Sequence, residues 1–380
     1  MTVRCWARFD DLRAGTAMCF GQPDRVLAAD RAAEVPDVLD EVDRATAAGA
    51  WAFGFVAYEA APGLDRHLTS GPPVDGLPLA WFGICAEPTT VPAIQARPPR
   101  RYTAGPWRVA WTSDQHREAV TAVRERIAAG DTYQVNVTTR MTAPVCGDLT
   151  GFYADLALAQ RGSYNAFLDL GRFVIAGASP ELFFEMNNGR LVTRPMKGTA
   201  ARGQSQAQDA ALANALRDSA KDRAENVMIV DLMRNDLAAI AATGTVVVTA
   251  LCRLETYQTV HQLVSEIGAQ LRPGVGLTEV FRALFPSGSV TGAPKIATMR
   301  VIAALEPAPR GVYCGAVGVV GPAQARFNVA IRTVVVDRST GTAVYGTGGG
   351  ITWASDPASE YAELLTKAHL LPAHVPRSRA

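Results

Sequence analysis

The sequence predicts an α+β fold, and two observations carry that reading. Strand-like apolar runs come in clusters with helices between them, not in the strict strand–helix alternation that builds a parallel sheet. No period of the solenoid type repeats along the 380 residues, which removes the stacked-repeat architectures.

The elements follow in order. A helix is expected over residues 36 to 48, then buried strands in Trp51-Ala-Phe-Gly-Phe-Val-Ala-Tyr58 and Leu79-Ala-Trp-Phe-Gly-Ile-Cys85. Residues 87 to 106 carry five prolines and little periodicity, so they read as a linker or an extended surface crossing. Ser113 or Asp114 can cap a helix with Val120, Val123 and Ile127 on its apolar side, ended by Gly130. Strands are placed at 132–140, 164–169, 172–177, 181–187 and 190–195, and helices at 205–219 and 221–238. Further β-runs fall at 245–252, 311–320, 326–336 and 342–346. Near the end, Asp356-Pro357 reads as an N-cap followed by proline at the first helical position. The expected organisation is an N-terminal region, 1–100, packed on a larger region, 108–375, in one body.

Composition narrows the function. Hydrophobic content of 48 % is globular, and a net charge of +1 gives no electrostatic footprint for nucleic acid or an anionic membrane. No run of some 18 apolar residues could span a bilayer, and Met1-Thr-Val-Arg-Cys-Trp-Ala-Arg lacks the apolar core of a signal peptide. The six cysteines are scattered without a Cys-x-x-Cys pair, as expected of reduced thiols in a cytoplasmic protein, without a zinc site or disulfide framework.

The segment Arg194-Pro-Met-Lys-Gly-Thr199 is the most informative stretch. Pro195 ends the strand before it, and Gly198 allows a tight turn or a close approach. Lys197 can thereby project into a cleft. An amine is a nucleophile only when neutral, so Lys197 needs its pKa lowered by burial or by cations; Arg194 and Arg202 are near in sequence. Taken alone, the same residues also describe a solvated turn lysine.

Three glutamates form a second constellation. Glu360 and Glu363 lie three apart on one helix face, and Glu225 sits on the apolar stretch 223–230. Carboxylates from two helices suit a hard cation that wants oxygen ligands. By spacing alone they are also ordinary acidic residues at a helix start and on a solvated face.

Lys197 and its surroundings resemble the Pro-Ile-Lys-Gly-Thr signature of the chorismate-utilising enzymes, in their aminodeoxychorismate synthase component I branch. Further segments resemble the same superfamily in the expected order, from Gly130-Asp-Thr-Tyr-Gln-Val-Asn136 to Ser359-Glu-Tyr-Ala-Glu363. Between them come Ala178-Ser-Pro-Glu-Leu182, Ala224-Glu-Asn-Val-Met-Ile-Val-Asp-Leu-Met-Arg-Asn-Asp-Leu237 and Phe285-Pro-Ser-Gly-Ser-Val-Thr-Gly-Ala-Pro-Lys295. Asn328-Val-Ala-Ile-Arg-Thr333 and Gly346-Thr-Gly-Gly-Gly-Ile351 complete the series. The resemblance implies a β-sandwich core of antiparallel sheets flanked by helices. It implies Mg²⁺ on Glu225, Glu360 and Glu363, gripping a chorismate carboxylate.

It also implies roles for single residues. Lys197 is the expected nucleophile, Glu181 the general acid towards the departing C4 hydroxyl, and His261 a histidine that orients the substrate. Arg332 offers a planar fork to a carboxylate, or else a structural ion pair. Thr199, and Ser289 and Thr291 in a Gly-rich turn, supply hydroxyls; Tyr345, Gly346, Gly348 and Gly349 supply a phenol and bare amides. That Gly run matches neither G-x-G-x-x-G at a strand–helix junction nor a Walker A loop, so nucleotide binding is rejected. Lys295 is either a further carboxylate contact or a helix-start surface lysine. Position 134 discriminates reactions: relatives that add water at C2 carry a lysine base there, whereas Gln134 has no useful basicity. Anthranilate synthases share the glutamine but lack a lysine at position 197.

The expected reaction is amination of chorismate to 4-amino-4-deoxychorismate through a Lys197 adduct. No Gly-x-Cys-x-Gly setting marks an amidotransferase nucleophile in the chain, so ammonia is expected from a separate glutamine amidotransferase subunit. No clear Leu-Leu-Glu-Ser element for tryptophan is found. Anthranilate synthase component I and a non-catalytic chorismate-binding protein are the other readings.

Overall fold

Alternating and continuous apolar runs decide the architecture, because a strand buried on both faces needs apolar residues at every position. Ala80–Cys85 and Ala316–Gly321 are buried at each residue, and they lie side by side with Trp51–Val56 between them. The computed structural model describes residues 6–97, 101–257 and 260–372. Met1 to Cys5, Pro98 to Arg100 of the expected crossing, and Thr259 lie outside the described residues.

Among the described residues, two antiparallel sheets of eleven and ten strands form the centre. The first runs Gly292–Ala293, Gln134–Gly147, Thr342–Ile351, Thr333–Asp337, Phe173–Ser179, Tyr164–Asp169, Trp6–Asp11, Thr16–Phe20 and Thr89–Pro92. The second runs Met196–Ala201, Val260–Gln270, Arg190–Arg194, Leu182–Asn187, Gln324–Val329, Ala316–Gly321, Trp51–Val56, Ala80–Cys85 and Arg25–Ala29. The fold is therefore the α+β class, two antiparallel sheets with helices around them. Residues before position 100 supply strands to both sheets: Trp6–Asp11 pairs with Tyr164–Asp169, and Trp51–Val56 with Ala316–Gly321.

Three apolar bodies hold these layers. Phe9, Phe53, Phe55, Leu168, Ile175 and Val317 form one, drawing on strands of both sheets. Phe152, Tyr153 and Leu156 of helix Leu149–Gln160 pack with Val174, Val334 and Tyr345 of the first sheet. Helices Val35–Ala47, Ala220–Ala238 and Leu277–Leu284 cluster with Phe184 and Phe327 of the second. Fully burying a side chain of this size contributes roughly 1.5–3 kcal/mol. No helix of the described residues is long and apolar enough to cross a membrane.

One alternative is decided and one expectation corrected. Of the two readings of the proline-rich stretch, the extended crossing holds and the free linker does not, since Thr89–Pro92 and Tyr102–Ala104 pair with Thr16–Phe20 and Gln134–Gly147. The run 326–336 is two strands in different sheets, Gln324–Val329 and Thr333–Asp337, with Arg332 at the corner in the left-handed region, φ 52°.

Candidate active site

Lys197 is placed by three local devices. It lies on Met196–Ala201, which pairs with Val260–Gln270 and shifts register between Lys197 and Thr199. Gly198 takes φ 83° at this shift, a left-handed conformation that glycine adopts without a Cβ penalty. Asn226 of the helix Ala220–Ala238 donates from Nδ2 to the Lys197 carbonyl at 2.7 Å, fixing strand to helix.

The lysine faces a cavity of 420 Å³. Its Nζ donates to the Ser289 carbonyl at 3.2 Å, and the Ser289 hydroxyl donates to Glu181 Oε1 at 2.6 Å. Burial lowers the Lys197 pKa from its ordinary value; Glu225 and Glu181 oppose this, and Lys367 reinforces it. The cationic help expected from Arg194 and Arg202 is absent, because these pair with Glu255 and Asp209. Burial pushes the Glu181 carboxyl up to about 7, against the Ser289 bond and the Lys197 charge. An amine whose pKa is lowered and a carboxyl raised to about 7 thus share one serine.

The carboxylates gather on the other side. Asp356 caps helix Pro357–Thr366 by accepting from Ser359 N at 2.9 Å, and that helix carries Glu360 and Glu363 to the cavity beside Glu225. Glu360 is buried and accepts from Ser355 at 2.7 Å. Burial raises Glu225, with Lys197 and Lys221 opposing and Glu360 adding to the rise. Burial, the largest single influence, works to raise Glu363, but Lys367, Lys221 and Lys197 together leave that carboxyl below its ordinary value. Among the described residues no cluster of three such groups is closed tightly enough to be a preformed metal cage. The donor set nevertheless fits Mg²⁺, which takes few protein carboxylates and keeps waters and substrate oxygens. The ammonium groups now near Glu360 and Glu363, those of Lys221 at 3.9 Å and Lys367 at 2.9 Å, are on flexible stems.

Thr199, Arg332, Tyr345, Gly346, Gly348 and Gly349 line the same cavity as Lys197, Glu181, Ser289 and the three glutamates. Arg332 is steadied by Gln160 Oε1 at 2.7 Å, while the Tyr345 hydroxyl is spent on the Lys367 carbonyl at 2.7 Å. Gln134 is fully buried under the floor, and both atoms of its amide lack a partner. A Cβ added to Gly350 would overlap that amide and come within 3.4 Å of Lys197 Nζ, so the glycine keeps the two within reach of one spot.

Three expected residues are elsewhere. His261 is turned away from the cavity that its neighbours Val260 and Gln262 line, as strand alternation requires; its ring bonds Asp209 at 2.9 Å and Thr256 at 3.0 Å. Thr291 donates to the Ser287 carbonyl at 3.1 Å. Lys295 ties Asp236 and the Leu284 carbonyl, each at 3.1 Å. The sequence reading missed Lys367, which bonds the Gly348 carbonyl at 2.7 Å; its spacing of four from Glu363 was the available signal. It also missed Asn226 and Asn136, whose side chains carry no periodic mark.

The chain has relatives in sequence and in fold. The chorismate binding enzyme family matches residues 6–372, and the chain belongs to that family. An aminodeoxychorismate synthase from Streptomyces griseus is 42 % identical over 76 % of this chain and 40 % of its own length. An anthranilate synthase component 1 from Streptomyces coelicolor is 40 % identical over 76 % of this chain and 56 % of its own length. The chain therefore spans about half the length of these curated relatives. Among solved structures, anthranilate synthase component I from Streptococcus pneumoniae superposes with a TM-score of 0.79 at 25 % identity, covering 98 % of this chain and 93 % of that one.

Proposed function

We propose that this chain is the chorismate-aminating component of an aminodeoxychorismate synthase. The observation that carries the reading is Lys197, an amine drawn toward neutrality by burial and linked through Ser289 to Glu181, a carboxyl raised to about 7. Chorismate is a dicarboxylate with a C4 hydroxyl to expel. Arg332 and the Gly346–Gly350 amides would hold one end of it. Glu225, Glu360 and Glu363 would hold a Mg²⁺ ion, whose role when bound is to neutralise and orient a substrate carboxylate.

Lys197 attacks C2 and surrenders a proton; the ring double bonds shift, and the C4 hydroxyl departs as water with the proton of Glu181. Ammonia then adds at C4, the double bonds return, and the C2–N bond to Lys197 breaks with reprotonation of the amine. The balance is chorismate plus ammonia to 4-amino-4-deoxychorismate plus water. Gln134 has no basicity for activating water, and its free amide can bind an amine nucleophile instead. Ammonia would come from a glutamine amidotransferase subunit, in line with the component naming of the Streptomyces coelicolor and Streptococcus pneumoniae proteins. A cytoplasmic setting suits the five described cysteines, all free.

Anthranilate formation is the second reading, favoured by the similar identity of the Streptomyces coelicolor protein. Incubation with chorismate, Mg²⁺ and ammonium separates the two. A product that an added lyase converts to 4-aminobenzoate supports the amination at C4. Fluorescent anthranilate without the lyase supports the alternative and sinks the first reading.

A further inference from the structure

Arg310 is a buried cation, 8 % exposed, that does not line the Lys197 cavity, and the steps above make no use of it. It faces Glu306, which ends the helix Lys295–Leu305, in a two-pronged pair. Nε donates to Oε2 at 2.8 Å and Nη2 to Oε1 at 2.7 Å. Glu59 accepts from the Arg310 and Gly311 backbone amides at 2.7 and 2.9 Å, and the Tyr58 ring lies 4.5 Å from the guanidinium. Stability alone does not account for such a pair, because desolvation offsets much of its attraction.

The pair stands in for a strand. On the edge away from Thr342–Ile351, the strand Gln134–Gly147 pairs with Gly292–Ala293 at residues 134 and 135 and with Arg108–Val109 at 141 and 142. Between them no strand of the described residues pairs with that edge. In this gap Glu306 Oε1 accepts from Thr138 N and Arg310 Nη2 donates to the Asn136 carbonyl, each at 2.8 Å. Buried backbone groups need such partners.

The other prong, Nη1, donates to the Val290 carbonyl at 2.8 Å. Val290 follows Ser289, whose carbonyl accepts from Lys197 and whose hydroxyl donates to Glu181. Asn136 and Val290 both line the Lys197 cavity. One rigid, planar fork therefore ties the strand to the turn that carries Ser289.

We propose that Arg310 is a positioning residue for the chorismate-aminating reaction, on which reading the inference rests: it holds the Ser289 turn against the strand at Asn136 and so keeps the Glu181 carboxyl and the Lys197 amine aligned. Misplacing reacting groups by about 1 Å can cost about 100-fold in rate. A lysine, a point charge on a flexible stem, cannot reproduce the fork.

Adduct formation on Lys197, followed by mass spectrometry with chorismate and Mg²⁺ but no ammonia, tests this. Arg310→Lys should lower the maximal rate at least about tenfold and leave the half-saturating chorismate concentration near the parent value. The Ser289 hydroxyl and the Lys197 charge both hold the Glu181 pKa down against burial. A loosened Ser289 bond lets it rise, so the alkaline fall of the rate should move to higher pH. Ser289→Ala alone should give the same shift, and adding Arg310→Lys to it should move the limb no further. If Arg310→Lys does not fold, Glu306→Gln, which loosens the fork and keeps the guanidinium, should give the same results. A folded variant with the parental rate and limb overturns the proposal. So does a slowed variant whose limb is unmoved, or a double variant in which the two shifts add. A parent that forms no adduct overturns the covalent reading and this proposal together.

Discussion

The Ser289 hydroxyl donates to Glu181 Oε1 at 2.6 Å, while the carbonyl of the same serine accepts from Lys197 Nζ at 3.2 Å. One residue thus fixes the Glu181 carboxyl and the Lys197 amine relative to each other. The turn that carries it is in turn held by Arg310, through the Val290 carbonyl.

On the proposed mechanism, Glu181 should set the alkaline limit of the reaction. Its carboxyl is raised to about 7 by burial, so the acid form required for the C4 hydroxyl is present below that pH and is lost above it. Lys197 must be neutral, so the acid limb belongs to the amine, and kcat against pH should be bell-shaped. Glu181→Gln should lower kcat by about 10²- to 10⁴-fold and remove the descending limb. A variant with the parent profile would show that another group titrates. The same raised carboxyl makes a stability contribution that is full below its ordinary pKa and fades as pH climbs through about 7.

Lys197→Ala should still bind chorismate but lose turnover by orders of magnitude, each tenfold being roughly 1.4 kcal/mol of barrier. Mass spectrometry of the parent with chorismate and no ammonia should find an adduct on Lys197. An undiminished rate in the variant, with no adduct in the parent, would reduce Lys197 to a binding cation.

Glu225→Gln and Glu360→Gln should each abolish Mg²⁺-dependent turnover, because a neutral amide is a poor ligand for this ion. Circular dichroism should stay that of the parent, since the substitution is isosteric. Either variant retaining parental Mg²⁺ dependence is not altered at a ligand.

His261→Ala should cost stability and spare catalysis. The ring is itself buried and bonded to Asp209 and Thr256, so truncating it removes both bonds and leaves a cavity. A fall in Tm with kcat within a few-fold of the parent is expected; an inactive variant with parental Tm would return His261 to the site.

Chemistry was more legible in this sequence than spatial placement. Lys197, Glu181 and the three glutamates stand out as polar residues in strongly apolar or punctuated contexts, and they do line one cavity. The Asp356-Pro357 start was equally plain, because its cap is local. His261 and Lys295 were misplaced for a different reason: which face of a strand meets a cavity depends on its partners. The helix Leu149–Gln160 went unread because it is buried nearly all round and so carries no amphipathic stripe. The corner at Arg332 was read as continuous strand, since apolar runs do not reveal a change of sheet.

The pairing of Trp51–Val56 with Ala316–Gly321 also governs how the chain can come to be folded. As the polypeptide is made, its early strands wait for neighbours that emerge only after most of the sequence has been synthesised. Contacts so distant along the chain slow folding and leave Phe53, Phe55 and their unpaired backbone open to aggregation meanwhile. Expression at reduced temperature or with added chaperones should raise the soluble yield, and fragments ending before Ala316 should precipitate.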